Sequence, residues 1–328
     1  MLLRDPTSLL LDWRFVVNTH TNHIWNQQFL ITADRMETFL AANLTRPPFL
    51  VLSVWSKIYR SFGENDKFMF SFATWFVAIA TYWITNLALL YVDITGKPKF
   101  LSRYKVQKDK NAPLDPKLLP KVFRTVFMNM MVVLPVVFYA TCLMSVWRGM
   151  SCGYDVPSLP RILLDLAVAV VCEEILFYYS HRLIHHPYLY KSIHKKHHEW
   201  TAPIGLVSVY AHPIEFVVSN ALPLFAGPFL MKSHLMTLWI WTVIALSGTS
   251  IHHSGYHFPF MLSPEFHDFH HLKFNYNYGL LGFLDRLHGT DSLFRKSKAF
   301  KRHKVLFGFT PVSVSIPDEN EFNRKKAH

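Results

Sequence analysis

Uncharged apolar runs alternate along this chain with short polar loops, and the longest runs predict its architecture. Phe68 to Val92 carries no charge over 25 residues, and a hydrocarbon core of about 30 Å needs about 20 residues to cross. It predicts a first membrane span, with Tyr82, Trp83 and Tyr91 suited to its interfacial end. Val126 to Trp147 predicts a second span, kinked at Pro135. Ile162 to Tyr179 predicts a third, although it contains Asp165, Glu173 and Glu174; acids at such depth normally face a protein interior or a wet cavity. Phe216 to Met231 and Leu235 to Ile251 predict a tight hairpin, its first arm short and interrupted by Asn220, Pro223, Gly227 and Pro228. Phe49 to Trp55 is apolar but too short to cross.

The loop from Lys97 to Arg124 is rich in lysine and arginine against Asp109 and Asp115. The positive-inside rule places it in the cytosol. Counting spans from there puts the later polar segments and the C-terminus in the cytosol, with a lumenal N-terminus. The predicted fold is all-α: a polytopic membrane protein with about four transmembrane helices and a cytosolic, histidine-rich cap. Four regions follow: 1–66, of unclear role; 67–160, the first two spans and the basic loop; 161–317, the histidine-box region; and 318–328, a basic cytosolic tail. No pattern of a removable signal peptide is present, and Asn43-Leu44-Thr45 is a bare glycosylation sequon. Lys325 and Lys326, fourth and third from the end, resemble a dilysine retrieval signal and predict residence in the endoplasmic reticulum membrane.

Composition agrees. Of 328 residues, 51% are hydrophobic and only 17% charged, where a soluble chain carries about a quarter. The formal charge of +12 has no nucleic-acid reading motif beside it, which argues against nucleic acid. It fits loops facing an anionic surface or an acidic partner. Three cysteines without CxxC spacing argue against a thiolate zinc site and a disulfide framework.

The chemistry lies in histidine. Fifteen of the 19 histidines fall between His181 and His288. His181 and His185 form HxxxH; His194, His197 and His198 form HxxHH; His253 and His257 repeat the first pattern; His267, His270 and His271 repeat the second. Positions i, i+3 and i+4 share a helix face, so each HxxHH box is expected to aim three imidazoles at one point. Ten such rings suit two metal ions with about five nitrogens each. His185 is preferred over His186 because Pro187 disfavours helix at the residue before it, and His253 over His252 for its spacing to His257. Glu199, Glu265 and Asp268 adjoin the boxes and are candidates to orient rings through their second nitrogens; Glu173 and Glu174 lie two turns before His181 and are weighed for the same role.

Imidazole accepts iron, copper, zinc or nickel. HExxH is absent, so a hydrolytic zinc site is not indicated. Two metals beside a bilayer fit iron, which can activate O₂ against an unreactive lipid C–H bond; zinc has no redox chemistry, although it can replace iron in preparations. The two electrons that each O₂ requires must come from a separate protein, because no haem segment or GxGxxG fingerprint occurs. Lys191, Lys195, Lys196, Lys273 and Arg286 form a basic face on which an acidic donor could dock.

The segments FYYSHRLIHHP, HKKHHEWTAPIG, YAHPIE, HSGYH, SPEFHDFHHLKFNYNYG and LDRLHGTD closely resemble the fatty acid hydroxylase superfamily of membrane di-iron oxygenases, in its C-4 methylsterol oxidase branch. The likeness runs from about Asp93 to Pro317. It implies a helical membrane fold with a cytosolic histidine cap, two iron ions held by the ten histidines of the boxes, and residence in the endoplasmic reticulum. It also implies electrons delivered from NAD(P)H through a reductase and cytochrome b5. At the position of His257 the C-4 methylsterol oxidases often carry an acid. The resulting expectation is an O₂-dependent monooxygenase that hydroxylates a lipid, with the C-4 methyl groups of sterol intermediates as its target. The rivals are a lipid desaturase or fatty acyl hydroxylase on the same site, a catalytically silent sterol-binding scaffold, and a histidine-rich metal transporter.

Overall fold

The computed structural model describes residues 47–317, and every regular element among them is a helix. The sequon and the dilysine pair lie outside these residues. Helix α1, Phe49–Ser61, has 13 residues and so measures about 20 Å, too short to cross. It packs instead against the spans: Trp55 Nε1 donates to Cys152 O at 3.1 Å, and its ring meets Trp239 edge-on at 5.2 Å.

Four helices are long and apolar enough to cross a membrane: α2, Asp66–Thr95; α3, Pro116–Arg148; α5, Pro213–Met231; and α6, Leu235–Ser254. The chain is a multi-pass membrane protein. The first arm of the expected hairpin, α5, starts one turn before Phe216 and reaches 19 residues. Helix α4, Leu159–Ile184, contains the third expected span but is not among the four. Two of its three acids are held by protein: Asp165 accepts from Arg161 Nε at 2.7 Å, and Glu174 accepts from the Leu280 and Leu281 amides at 3.0 and 2.8 Å.

Two prolines expected to disturb helices are accommodated by one device. Widened π-turns at Met128–Val133 and Phe216–Ala221 each precede a fresh α-segment that carries proline, Pro135 or Pro223, in its first turn. A proline needs no amide partner in a first turn.

Between the α-helices runs a buried segment built around the 3-10 turn Gly205–Val209. Buried carbonyls away from water must be paired inside the protein. Tyr82 donates to Leu206 O at 2.9 Å, and Asn129 Nδ2 donates to Val209 O and Ala211 O at 2.9 and 3.0 Å. Tyr82 is thus an internal strut with no exposure, not the interfacial residue its position in the span predicted. Glycine is required at 205, where a Cβ would stand 2.4 Å from Asn86 Oδ1. It is required at 227 as well, where a Cβ would stand 2.4 Å from Ala169 Cα and where α5 lies flush on α4.

Beyond α6 the chain forms a run of short helices, the first two being α7, Glu265–Lys273, and α8, Phe283–His288. A buried pair ties the loop after α2 to the ends of α2 and α6: Lys105 Nζ lies 2.7 Å from Asp93 Oδ1 and donates to Ser254 O at 3.1 Å.

Candidate metal centre

The C-terminal ends of α4 and α6, the turns at 190–199 and the whole of α7 bring nine of the ten expected histidines together in two sets. His181, His185, His194, His198 and His270 form the first; His197, His253, His267 and His271 form the second. Within each set one ring nitrogen per residue lies within 4.8 Å of every other, and all nine residues are buried. His186, which precedes Pro187, is exposed, and His252 belongs to neither set.

Each HxxHH box divides between the two sets, which corrects the expectation that one box serves one point. Successive residues on a helix point about 100° apart, so His197 turns away from His198 and His270 away from His271. Only the i, i+4 pairs stay together: 181 with 185, 194 with 198, 267 with 271. Each box therefore ties both centres, and the sets hold five and four nitrogens, not five each.

His257 stands apart. Helix α6 ends at Ser254, and Gly255 adopts φ +67°, so helical spacing stops inside HSGYH. His257 Nε2 donates to Lys304 O at 2.8 Å, and its Nδ1 lies 3.7 Å from Glu265 Oε1. The glycine at a helix end was the available signal.

The remaining ring nitrogens decide what the sets can do. His181 Nδ1 donates to Tyr278 O at 2.7 Å, His253 Nδ1 to Thr249 O at 2.8 Å and His270 Nδ1 to Tyr276 O at 2.7 Å. His271 Nδ1 donates to Trp200 O at 2.9 Å and His197 Nδ1 to Tyr210 O at 3.4 Å. A carbonyl only accepts, so each of these rings carries its proton on Nδ1. Burial keeps the rings neutral: it lowers His181 from 6.5 to about 4 and holds His197, His270 and His271 well below the ordinary range, with adjacent rings adding to the effect in the last three. Their Nε2 atoms therefore present lone pairs.

Across the two sets Nε2 atoms face one another at 2.8 to 3.3 Å, as in His253–His267, His194–His198, His181–His194 and His197–His253. In the last pair both tautomers are fixed with Nδ1 protonated, so no hydrogen lies between the facing nitrogens. Such contacts repel unless a cation is shared. At a metal–nitrogen distance of about 2.1 Å, two nitrogens bound at right angles stand about 3.0 Å apart. The donor sets fit metal ions.

The three acids expected to orient rings do other work. Glu199 accepts from Lys121 Nζ at 2.6 Å and Tyr210 Oη at 2.7 Å; Asp268 accepts from Gln107 Nε2 at 3.0 Å; Glu265 faces His257. The acid that meets a clustered ring is Glu215, buried in the first turn of α5, with Oε1 2.8 Å from His194 Nδ1. Its sequence signals were its place at the end of the YAHPIE segment and directly before the apolar run from Phe216. Glu174 acts indirectly. Together with Asp285, which accepts from the Tyr278 and Gly279 amides at 2.8 and 2.7 Å, it fixes the loop whose carbonyls orient His181 and His270.

Comparison with known proteins agrees with this geometry. A family model described as "Fatty acid hydroxylase" matches residues 166–290. Human "Fatty acid hydroxylase domain-containing protein 2" is 51% identical over 265 residues, covering 80% of this chain and 79% of that protein. "Methylsterol monooxygenase 2-2" of Arabidopsis thaliana is 31% identical, covering 68% of this chain and 86% of that protein. "Very-long-chain aldehyde decarbonylase GL1-8" of Oryza sativa subsp. indica is 32% identical, covering 76% and 94%. No solved structure matches.

Proposed function

Since this chain belongs to the fatty acid hydroxylase family, a family of di-iron lipid-modifying enzymes, we propose that it is a membrane-bound non-haem monooxygenase whose substrate carbon is a C-4 methyl group of a sterol intermediate. The observation that carries the reading is the pair of facing histidine sets with their Nε2 lone pairs turned inward. The sterol assignment draws on the methylsterol monooxygenase relative and on the box sequences.

His181, His185, His194, His198 and His270 would hold one iron, and His197, His253, His267 and His271 the other. Bound there, iron supplies the redox chemistry that activates O₂ against a C–H bond. The protein's own groups fix the ligands. Backbone carbonyls of Tyr278, Tyr276, Trp200, Thr249 and Tyr210 lock five rings in the tautomer that offers Nε2. Glu215 does the same for His194. Partners of this kind raise ligand basicity and hold the ring plane. No side chain is needed as nucleophile or general base.

The sets would lie on the cytosolic side of the endoplasmic reticulum membrane, with electrons from NAD(P)H passed through a reductase and cytochrome b5. The test begins with His198→Ala and His271→Ala, one from each set. Both should abolish O₂-dependent turnover and lower bound metal. Full activity in both would sink the assignment. Zinc in a purified sample would not, because zinc outcompetes iron(II) for nitrogen ligands. Sterol and lipid profiles of cells with and without the protein then identify the substrate; unchanged C-4 methylsterols would overturn the sterol assignment.

A further inference from the structure

A cavity of about 220 Å³ lies among α2, α3, α4, α5 and α6. It shares walls with both histidine sets. Phe177, which lines it, has its ring 4.9 Å from that of His181, and Thr249, which also lines it, accepts from His253 Nδ1. Three of its lining residues, Ile244, Leu262 and Leu281, are also 51%, 56% and 50% exposed. They mark openings at the surface, one of them on spanning helix α6.

The walls are almost wholly apolar and include no lysine or arginine. Glu173 is their single acid. Its Oε2 is buried and has no hydrogen-bond partner, and Ser208 Oγ on the same wall is likewise unpaired. The neighbouring Glu174 is fully engaged by backbone amides, so nothing in the ring-orienting network uses Glu173. A buried carboxyl without a partner is costly, and an apolar wall gains nothing from it unless a ligand completes the bond.

Resting on the lipid-oxygenase reading and narrowing it, we propose that this cavity binds a lipid alcohol, with the hydroxyl bonded to Glu173 and the hydrocarbon body along the apolar walls. Phosphate or carboxylate headgroups find no lysine or arginine there and meet an acid; His252 is the one imidazole on the walls. A cationic headgroup would leave its hydration behind in apolar surroundings. A neutral hydroxyl fits both, since it can donate to a carboxylate or accept from a protonated carboxyl.

Binding of radiolabelled probes to the purified, metal-loaded full chain in detergent tests this without turnover. Two pairs serve: cholesterol with 5α-cholestane, and octadecan-1-ol with octadecane. The affinity ratio of alcohol to hydrocarbon in the wild type, divided by the same ratio in Glu173→Leu, cancels partition into micelles. It should be about tenfold for at least one pair, which corresponds to about 1.4 kcal/mol. Glu173→Gln, which keeps an acceptor oxygen, should retain most of the preference. The same ratio in wild type and Glu173→Leu for both pairs, or no binding of either alcohol, would overturn the proposal. So would loss of metal from both variants, because Glu173 would then belong to the scaffold of the histidine sets. An intact alcohol preference with no oxygenated product from any lipid would instead sink the oxygenase reading alone.

Discussion

At the scale of single residues, two histidines in one pentapeptide part company. His253 and His257 have the same spacing as His181 and His185, yet Gly255 ends the helix between them and sends His257 to the Lys304 carbonyl. His253→Gln should therefore lose metal from the second set. His257→Gln, which can still donate to that carbonyl, should keep wild-type metal content; elemental analysis of the purified proteins decides. Glu215 makes the complementary case, because it touches a ring without belonging to either set. Removing a group that orients a metal-binding histidine typically costs 10- to 100-fold in metal affinity. Glu215→Gln should weaken metal retention by about that factor in competition with a chelator, while the protein remains folded by circular dichroism. Unchanged retention would show that His194 is oriented by packing alone.

At the scale of elements, the position of α4 matters most, since its end carries His181 and His185 while its middle lies flush against α5. Gly227 is where that packing is closest: a Cβ there would stand 2.4 Å from Ala169 Cα and 3.0 Å from Ala169 N, both backbone atoms that cannot rotate away. Gly227→Ala should force α4 and α5 apart at a cost of about 1 to 3 kcal/mol, the usual range for overpacking. The change would be seen as a lower melting temperature in detergent. Gly248, in α6, has nothing within 4 Å of its would-be Cβ, so Gly248→Ala should leave the melting temperature unchanged or raise it slightly, because alanine favours helix. Equal effects of the two substitutions would mean that the α4–α5 contact does not set stability.

At the scale of the whole molecule, charge is distributed unevenly around the histidine sets. Lys191, Lys195 and Lys273 are exposed near them, whereas Arg286 is engaged by Asp291 at 2.6 Å and Lys196 lies over the Tyr210 ring at 5.3 Å. If an acidic electron donor docks here, turnover in a reconstituted system should require added cytochrome b5 and its reductase. Its rate should fall as ionic strength rises, since salt screens steering between exposed charges. Lys191→Glu combined with Lys195→Glu should slow turnover several-fold at low salt and less at high salt. Rates that ignore both salt and these substitutions would show that the lysines only face a membrane surface.

The sequence by itself determined the helical membrane class, because an uncharged run of 25 residues such as Phe68 to Val92 has few alternatives in water. It also pointed to nine histidines that gather in the two sets. Residues four apart on a helix meet wherever the helix is placed, so the pairs 181 with 185, 194 with 198 and 267 with 271 were legible from spacing alone. Spacing turns the adjacent histidines of a box about 100° apart but could not tell which rings each then meets. Whether His197 joins His198 or His253 depends on where the end of α6 arrives, and that is a contact between residues 56 apart. The tautomers were hidden for the same reason, since Tyr278 and Trp200 offer carbonyls that every residue possesses. Acids were misplaced because proximity in sequence was the only guide. Glu199, Glu265 and Asp268 adjoin the boxes and bond elsewhere, while Glu215 reaches His194 from another helix. Local periodicity chose the histidine pairs and their faces; the packing of distant helix ends decided which rings meet.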